Sequence, residues 1–231
     1  MMRREVKPVK ESATVALFDI DKTLIHRSEA HEMGFSHAFR EVYGVDASVD
    51  MISYHGKTDP RIAREILLSL GLEGPEIESL MDEFLRRLTD YVRKHIHEDE
   101  IRLIDGADEF LNTLKGRGAL MGLVTGNLRE IACLKLQRVG LDEYFSFGGF
   151  GSDSSSREML AEIALERCPL SRARTILFGD TPYDIKAGRH IGALTIGMAS
   201  GSYTREDLIE AGADYVFPDF RDLLLMDVLE F

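Results

Sequence analysis

The chain reads as an α/β protein. Three short apolar segments stop abruptly at polar residues: Thr14–Phe18 before Asp19, residues 119–124 before Thr125, and residues 174–178 before Gly179 and Asp180. Runs of this length, apolar and partly β-branched, fit strands buried on both faces of a sheet. Segments of helical periodicity separate the later strands, whereas residues 26–105 show that periodicity throughout, with no convincing strand among them. The expected architecture is a core of strands and helices formed by residues 1–25 and 106–231, interrupted after its first strand by an all-helical insert, residues 26–105.

At 231 residues the chain is long enough for one well-buried core and a small inserted module, and short for two large domains. With 40 acidic and 28 basic residues its formal charge is −12, which argues against general affinity for nucleic acid or an anionic membrane, because both reward clustered positive charge. An anionic substrate would need locally placed cations or a metal ion. The two cysteines, Cys133 and Cys168, lack metal-ligand spacing and are expected to be free thiols in a reducing compartment, packed as small buried apolar side chains. No stretch is long and apolar enough to span a bilayer. The charged opening, residues 1–12, has no apolar h-region and is expected to be a loose lead-in to the first strand. The protein is expected to be soluble and cytoplasmic, a monomer or homodimer.

The first strand sets the pattern. Ligands of open α/β sheets lie outside the carboxyl ends of the strands, so Asp19 stands either at a site of chemistry or as the cap of the following turn. Asp21, two residues on, projects to the same side wherever the chain stays extended, and two carboxylates so close repel unless a cation is present. Hard oxygen ligands at a site with room for water favour Mg²⁺. In the insert, helices are expected over residues 30–43, 59–70 and 75–95, punctuated by Gly44, Gly56, Gly71 and Gly74. Charges on the last helix, such as Arg86, Arg87, Arg93 and Lys94, read as a solvated face. The turn His55-Gly56-Lys57-Thr58-Asp59-Pro60 feeds the second helix, and its Lys57 either reaches an anionic substrate from above or is an ordinary exposed lysine.

The core resumes at Asp105. The strand at 119–124 ends in Thr125-Gly126-Asn127, whose hydroxyl and free N–H groups suit a phosphoryl oxygen and would equally make a good turn and N-cap. A helix follows over 128–139 and contains Lys135. Residues 148–156, rich in glycine and serine, read as a loop whose serines cap a helix over Arg157–Arg167. The strand at 174–178 runs into Gly179-Asp180-Thr181-Pro182-Tyr183-Asp184, which adds a third and a fourth carboxylate, and Asp184 opens a helix over 185–190. A strand at 193–198, a helix at 204–211, a strand at 214–217 and a helical turn at 220–224 complete the chain.

Asp19-x-Asp21-x-Thr23, Thr125-Gly126-Asn127 and Gly179-Asp180-x-x-x-Asp184 follow one another in this order, each after a strand. Together they resemble the motifs of the haloacid dehalogenase superfamily. Residues 192–197 and 211–216 look like the closing part of its phosphoglycolate phosphatase-like members, and the insert looks like the helical cap of that branch. The resemblance implies a three-layer, Rossmann-like core around a parallel sheet of strand order 5-4-1-2-3, with a cap closing over its edge. It also implies a Mg²⁺-dependent phosphatase for a small phosphate monoester, with phosphoglycolate or a sugar phosphate as first candidates. Asp19 would be the nucleophile that forms an aspartyl-phosphate, and Asp21 the acid and base. Mg²⁺ would be held by Asp19, Asp180 and the backbone carbonyl of Asp21, with Asp184 supporting that shell. Thr125, Gly126 and Asn127 would bind the phosphoryl group. Members that attack carbon need no metal, so the full acidic set favours phosphatase chemistry. A phosphomutase of the same branch and a catalytically idle binding or regulatory protein are the alternatives.

The resemblance departs at one basic position. The family generally carries a Lys just before the helix that precedes the last acidic motif, and no Lys lies between Lys135 and Lys186. Arg157, at that helix start, is the expected replacement, its guanidinium fork bridging phosphate and Asp19. Lys135, one helix earlier, is the alternative.

Overall fold

The computed structural model describes residues 13–171 and 173–222. The lead-in at 1–12 and the end of the turn at 220–224 lie outside the described residues. Six strands, β1 (Thr14–Phe18), β2 (Leu120–Thr125), β3 (Phe147–Phe150), β4 (Arg174–Gly179), β5 (Leu194–Met198) and β6 (Tyr215–Phe217), form one parallel sheet in the order β3-β2-β1-β4-β5-β6. The first five strands stand in the order implied by the resemblance, and β6 adds an edge beyond β5. Val15 lies opposite both Leu120 and Thr175, and Phe18 opposite both Leu123 and Phe178. The β1–β4 pairing continues one residue further, where Asp19 N–H donates to the Phe178 carbonyl at 3.0 Å. Asp19 and Asp180 therefore leave adjacent strands at the same end.

Central strands are buried on both faces, as their unbroken apolar sequence requires. Ala16, Phe18, Ile176 and Phe178 join one cluster, in which the Phe18 and Phe178 rings stack with centroids 4.6 Å apart. Val15, Leu17 and Leu177 alternate to the other face, against Leu160, Ala161 and Ala164.

Three α-helices lie between β1 and β2 in the insert: α1 (Glu29–Ala38), α2 (Asp59–Ser69) and α3 (Gly74–His95). Five more complete the layers: α4 (Ala107–Gly116), α5 (Arg129–Val139), α6 (Arg157–Arg167), α7 (Pro182–His190) and α8 (Arg205–Glu210). The insert has an apolar cluster of its own, built on Phe35, Phe39, Ile66, Phe84 and Leu88, and Leu128 and Ile131 beside and within α5 join it. Fully burying such a side chain is worth about 1.5–3 kcal/mol. No described helix is long and apolar enough to cross a membrane.

The structure departs from expectation in four places. The helix expected at 30–43 ends its α-form at Ala38 and continues as a π-helical turn, Phe39–Tyr43, stopped by Gly44 at φ 66°. Helix α4 was not expected. Residues 148–150 are not loop but most of β3: a Cβ on Gly149 would stand 1.9 Å from the Leu160 carbonyl oxygen and one on Gly148 2.8 Å from that of Leu123. These glycines permit a close approach of backbones; they do not supply flexibility. Cys133 is exposed and Cys168 half-buried, so neither is the buried side chain expected, although both are free thiols.

Candidate active site

Asp19, Gly126, Asn127 and Asp180, at the carboxyl ends of β1, β2 and β4, face a cavity of ≈ 90 Å³ whose opposite wall carries His31, Phe35, Tyr54 and Lys57 of the insert. Asp19 is buried, and Arg157, the first residue of α6, lines the same cavity and reaches it: Nη2 donates to Asp19 Oδ1 at 2.6 Å, and Nε donates to Asp184 Oδ1 at 2.8 Å. Ser156 holds this helix start by capping the N–H of Met159. Burial, opposed by the Arg157 guanidinium and reinforced by Asp184 and Asp21, pushes the Asp19 carboxyl up to about 7. Arg157 itself is held firmly cationic: burial works against its charge, but Asp184 and Asp19 outweigh it.

Asp180 and Asp184 follow β4. Asp184 forms a capping box with Thr181, its Oδ2 accepting the Thr181 N–H at 3.1 Å and hydroxyl at 2.7 Å. Both its oxygens are thus occupied by protein donors. Asp180 is different, because its Oδ2 is buried without a hydrogen-bond partner. Burial, with Asp19 and Asp184 nearby, pushes the Asp180 carboxyl well above the usual carboxylate range. Oxygens of Asp19, Asp180 and Asp184 lie within 4.8 Å of one another. An orphaned carboxylate oxygen in an all-oxygen, net-negative cluster fits a hard divalent cation such as Mg²⁺. The Asp19 and Asp180 side chains could hold such an ion, while Asp184 is engaged by Thr181 and by Arg157.

Asp21 turns away from that cluster. Its carboxylate receives Lys135 Nζ at 2.7 and 2.8 Å and Asn127 Nδ2 at 2.6 Å. Burial works to raise its pKa, but Lys135, with help from His31 and the Asn127 hydrogen bond, prevails and brings it down to about 2. The structure thus brings Arg157, not Lys135, against Asp19, while the Asn127 side chain faces Asp21 and Lys135. Thr125 is fully buried, its hydroxyl accepting from Asn127 N–H at 3.3 Å and Nδ2 at 2.9 Å.

The insert grips the site directly. Asp59 N–H donates to the Gly126 carbonyl at 2.9 Å and Asp59 Oδ2 accepts the Leu128 N–H at 2.8 Å. A Cβ on Gly126 would stand 2.2 Å from the Lys57 carbonyl oxygen, so only glycine permits this approach. Lys57 lines the cavity, but its ammonium is 2.5 Å from Glu65 Oε2, already paired. Sequence reasoning missed Asp59, whose place at the N-terminus of a helix suggested only a turn. It also missed His31, buried on α1 with Nε2 3.3 Å from Asp59 Oδ1.

Buried acids and a buried guanidinium at the carboxyl edge of a Rossmann-like sheet, closed over by helices, define a capped α/β enzyme site. The family of haloacid dehalogenase-like hydrolases matches residues 16–198, and the chain belongs to it. It is similar to the pyrophosphatase PpaX of Halalkalibacterium halodurans, 28% identical over 90% of this chain and 94% of that one. It is also similar to 2-deoxyglucose-6-phosphate phosphatase 1 of Saccharomyces cerevisiae, 28% identical over 92% and 90% of the two chains. Among solved structures, CbbY of Rhodobacter sphaeroides in complex with phosphate shares the fold, with TM-score 0.66 and 22% identity over 90% of this chain and 95% of that one.

Proposed function

We propose that the protein is a Mg²⁺-dependent phosphatase that hydrolyses a small phosphate monoester through an aspartyl-phosphate on Asp19. The observation that carries this reading is a pair of buried, unpartnered atoms of opposite kind at one site: Arg157 Nη1, a donor, and Asp180 Oδ2, an acceptor. Leaving such a group unsatisfied costs about 1–3 kcal/mol, more when it is charged. An anion and a cation bound together would satisfy both.

In this reading an Asp19 oxygen attacks phosphorus while the bond from phosphorus to the leaving oxygen breaks, and Asp21 gives that oxygen a proton. Water then attacks phosphorus, Asp21 takes the water's proton, and the bond to Asp19 breaks. Arg157 keeps Asp19 aimed and offers Nη1 to a phosphoryl oxygen; Gly126, on the cavity wall, adds its N–H to the cradle. Mg²⁺, held by Asp19, Asp180 and the Asp21 carbonyl, would supply positive charge that offsets repulsion between the substrate dianion and Asp19. The cavity of ≈ 90 Å³ suits a small leaving group, not a macromolecule. Phosphoglycolate and sugar phosphates are therefore candidates, joined by inorganic pyrophosphate because of the relatives' names.

A panel of these compounds, assayed for phosphate release with and without Mg²⁺, tests the proposal. Asp19→Asn should lower turnover at least about a thousandfold, the scale seen when a covalent nucleophile is removed. Mg²⁺-independent turnover, or an active Asn variant, would overturn it. Phosphate passed to a second sugar phosphate instead of water would make the enzyme a mutase.

A further inference from the structure

Lys135 lies on the buried face of α5, with Ile131, Ala132 and Leu136. Its side chain is only 1% exposed. An ammonium so placed is tolerated only when its protons are bonded, and here all three are: to Asp21 Oδ1 at 2.7 Å, Asp21 Oδ2 at 2.8 Å and Asn127 Oδ1 at 2.7 Å. Asn127 is equally committed, since its Nδ2 donates to Asp21 Oδ2 at 2.6 Å and to Thr125 Oγ1 at 2.9 Å. The carboxylate oxygens of Asp21 are therefore unequal: Oδ2 receives two donors and Oδ1 one.

We infer that Lys135 and Asn127 are positioning residues, which anchor Asp21 through Oδ2 and leave Oδ1 as the oxygen that hands a proton to the leaving group. The inference rests on the acid and base role of Asp21 proposed above. Lys135 and Asn127 hold Asp21 as the carboxylate in the free protein, so Oδ1 takes up its proton once the negatively charged phosphate stands beside it; protonated Oδ1 is a poor acceptor from Lys135, but the two bonds to Oδ2 remain and keep the carboxyl group in place. As the bond from phosphorus to the leaving oxygen breaks, its electron pair stays on that oxygen and takes the Oδ1 proton. Asp21 returns to the carboxylate and Lys135 regains its third bond. The Asp21 side chain is 35% exposed and lines the cavity.

A positioning role and a merely structural one differ in how they depend on the leaving group. A leaving group that departs readily as an anion, such as 4-nitrophenolate, needs little help from an acid, whereas an alkoxide needs a proton. The measurement is kcat/KM, which reports only steps up to departure of the leaving group, for 4-nitrophenyl phosphate and for a small alkyl phosphate. Lys135→Met and Asn127→Ala should each lower kcat/KM for the alkyl ester by about 100-fold, the low end for general acid catalysis, and for the nitrophenyl ester less than about fivefold. Equal losses on both esters, or none, would overturn the inference. Should Lys135→Met fail to fold, Asn127→Ala carries the same test. Asp21→Asn serves as the control: if it spares the alkyl ester, the role of Asp21 itself fails, whereas a selective loss there with none in the Lys135 and Asn127 variants overturns the positioning alone.

Discussion

Arg157 Nη2 stands 2.6 Å from Asp19 Oδ1, and the guanidinium that makes this contact is also tied to Asp184, 27 residues further along the chain. One cation thus fixes the first acid against the last, with no lysine at the position where the family generally has one. Arg157→Ala should lower kcat/KM by roughly two to three orders of magnitude even for 4-nitrophenyl phosphate, the scale of losing one preorganised electrostatic group. Arg157→Lys should recover part of that activity, because charge returns without the fork. Near wild-type turnover in the alanine variant would show that the cation acts elsewhere.

Mg²⁺ should stabilise the protein in a pH-dependent way. Burial holds the Asp19 carboxyl at about 7 and raises Asp180 as well, whereas an unfolded Asp titrates near 4. In the metal-free protein these groups favour the fold fully below about pH 4, and that contribution is lost as the pH rises through about 7. A cation that binds the ionised pair reverses the loss, and at about 100 times its Kd it contributes about 2.7 kcal/mol. The increase in Tm on adding Mg²⁺ should therefore be small at pH 5 and grow to a plateau above pH 7. Asp180→Asn should remove most of it. An increase independent of pH, or one that survives in the variant, would count against the assignment.

Asp59 joins the insert to the turn after β2 by two hydrogen bonds, one through its N–H and one through its carboxylate. Asp59→Ala leaves the buried Leu128 N–H without its acceptor, which should cost about 1–3 kcal/mol in urea unfolding. Because that turn carries Gly126 and Asn127, activity should fall as well. A variant as stable as the wild type would mean that the bridge does not hold the insert in place.

The candidate site was legible where it coincides with strand ends. Asp19, Thr125 and Asp180 each follow an apolar run, and a parallel sheet brings the carboxyl ends of such runs to one edge whatever the loops do. Gly148 and Gly149 were not legible, because glycine needed for close backbone approach looks in a sequence like glycine needed for a loop. Lys135 carried an overlooked signal: it stands one helical turn after buried Ile131, which places a charge on a buried face and calls for an acidic partner. That the partner is Asp21, 114 residues away, depends on the tertiary fold alone. The turn at 55–60 suggested a substrate contact through Lys57, but the pairing with Glu65 arises because α2 brings the two residues together, which no spacing in the sequence announces.

That pairing sets the last expectation. Glu65 takes both Lys57 and Arg61, at 2.5 and 2.8 Å, so one carboxylate serves two cations, of which Lys57 lines the cavity. A leaving group with its own negative charge, such as the carboxylate of phosphoglycolate or the second phosphate of pyrophosphate, would compete with Glu65 for Lys57; a neutral one would not. Lys57→Ala should raise KM for such anionic substrates by about tenfold, the scale of a modest loss of binding energy, while changing KM for a neutral sugar phosphate less than about twofold. Glu65→Gln should act in the opposite direction, lowering KM for the anionic class by releasing Lys57. Steady-state constants for both variants on both classes decide the matter: a uniform effect, or none, makes Lys57 an ordinary partner of Glu65, and a split by charge makes it the residue through which the insert selects its substrate.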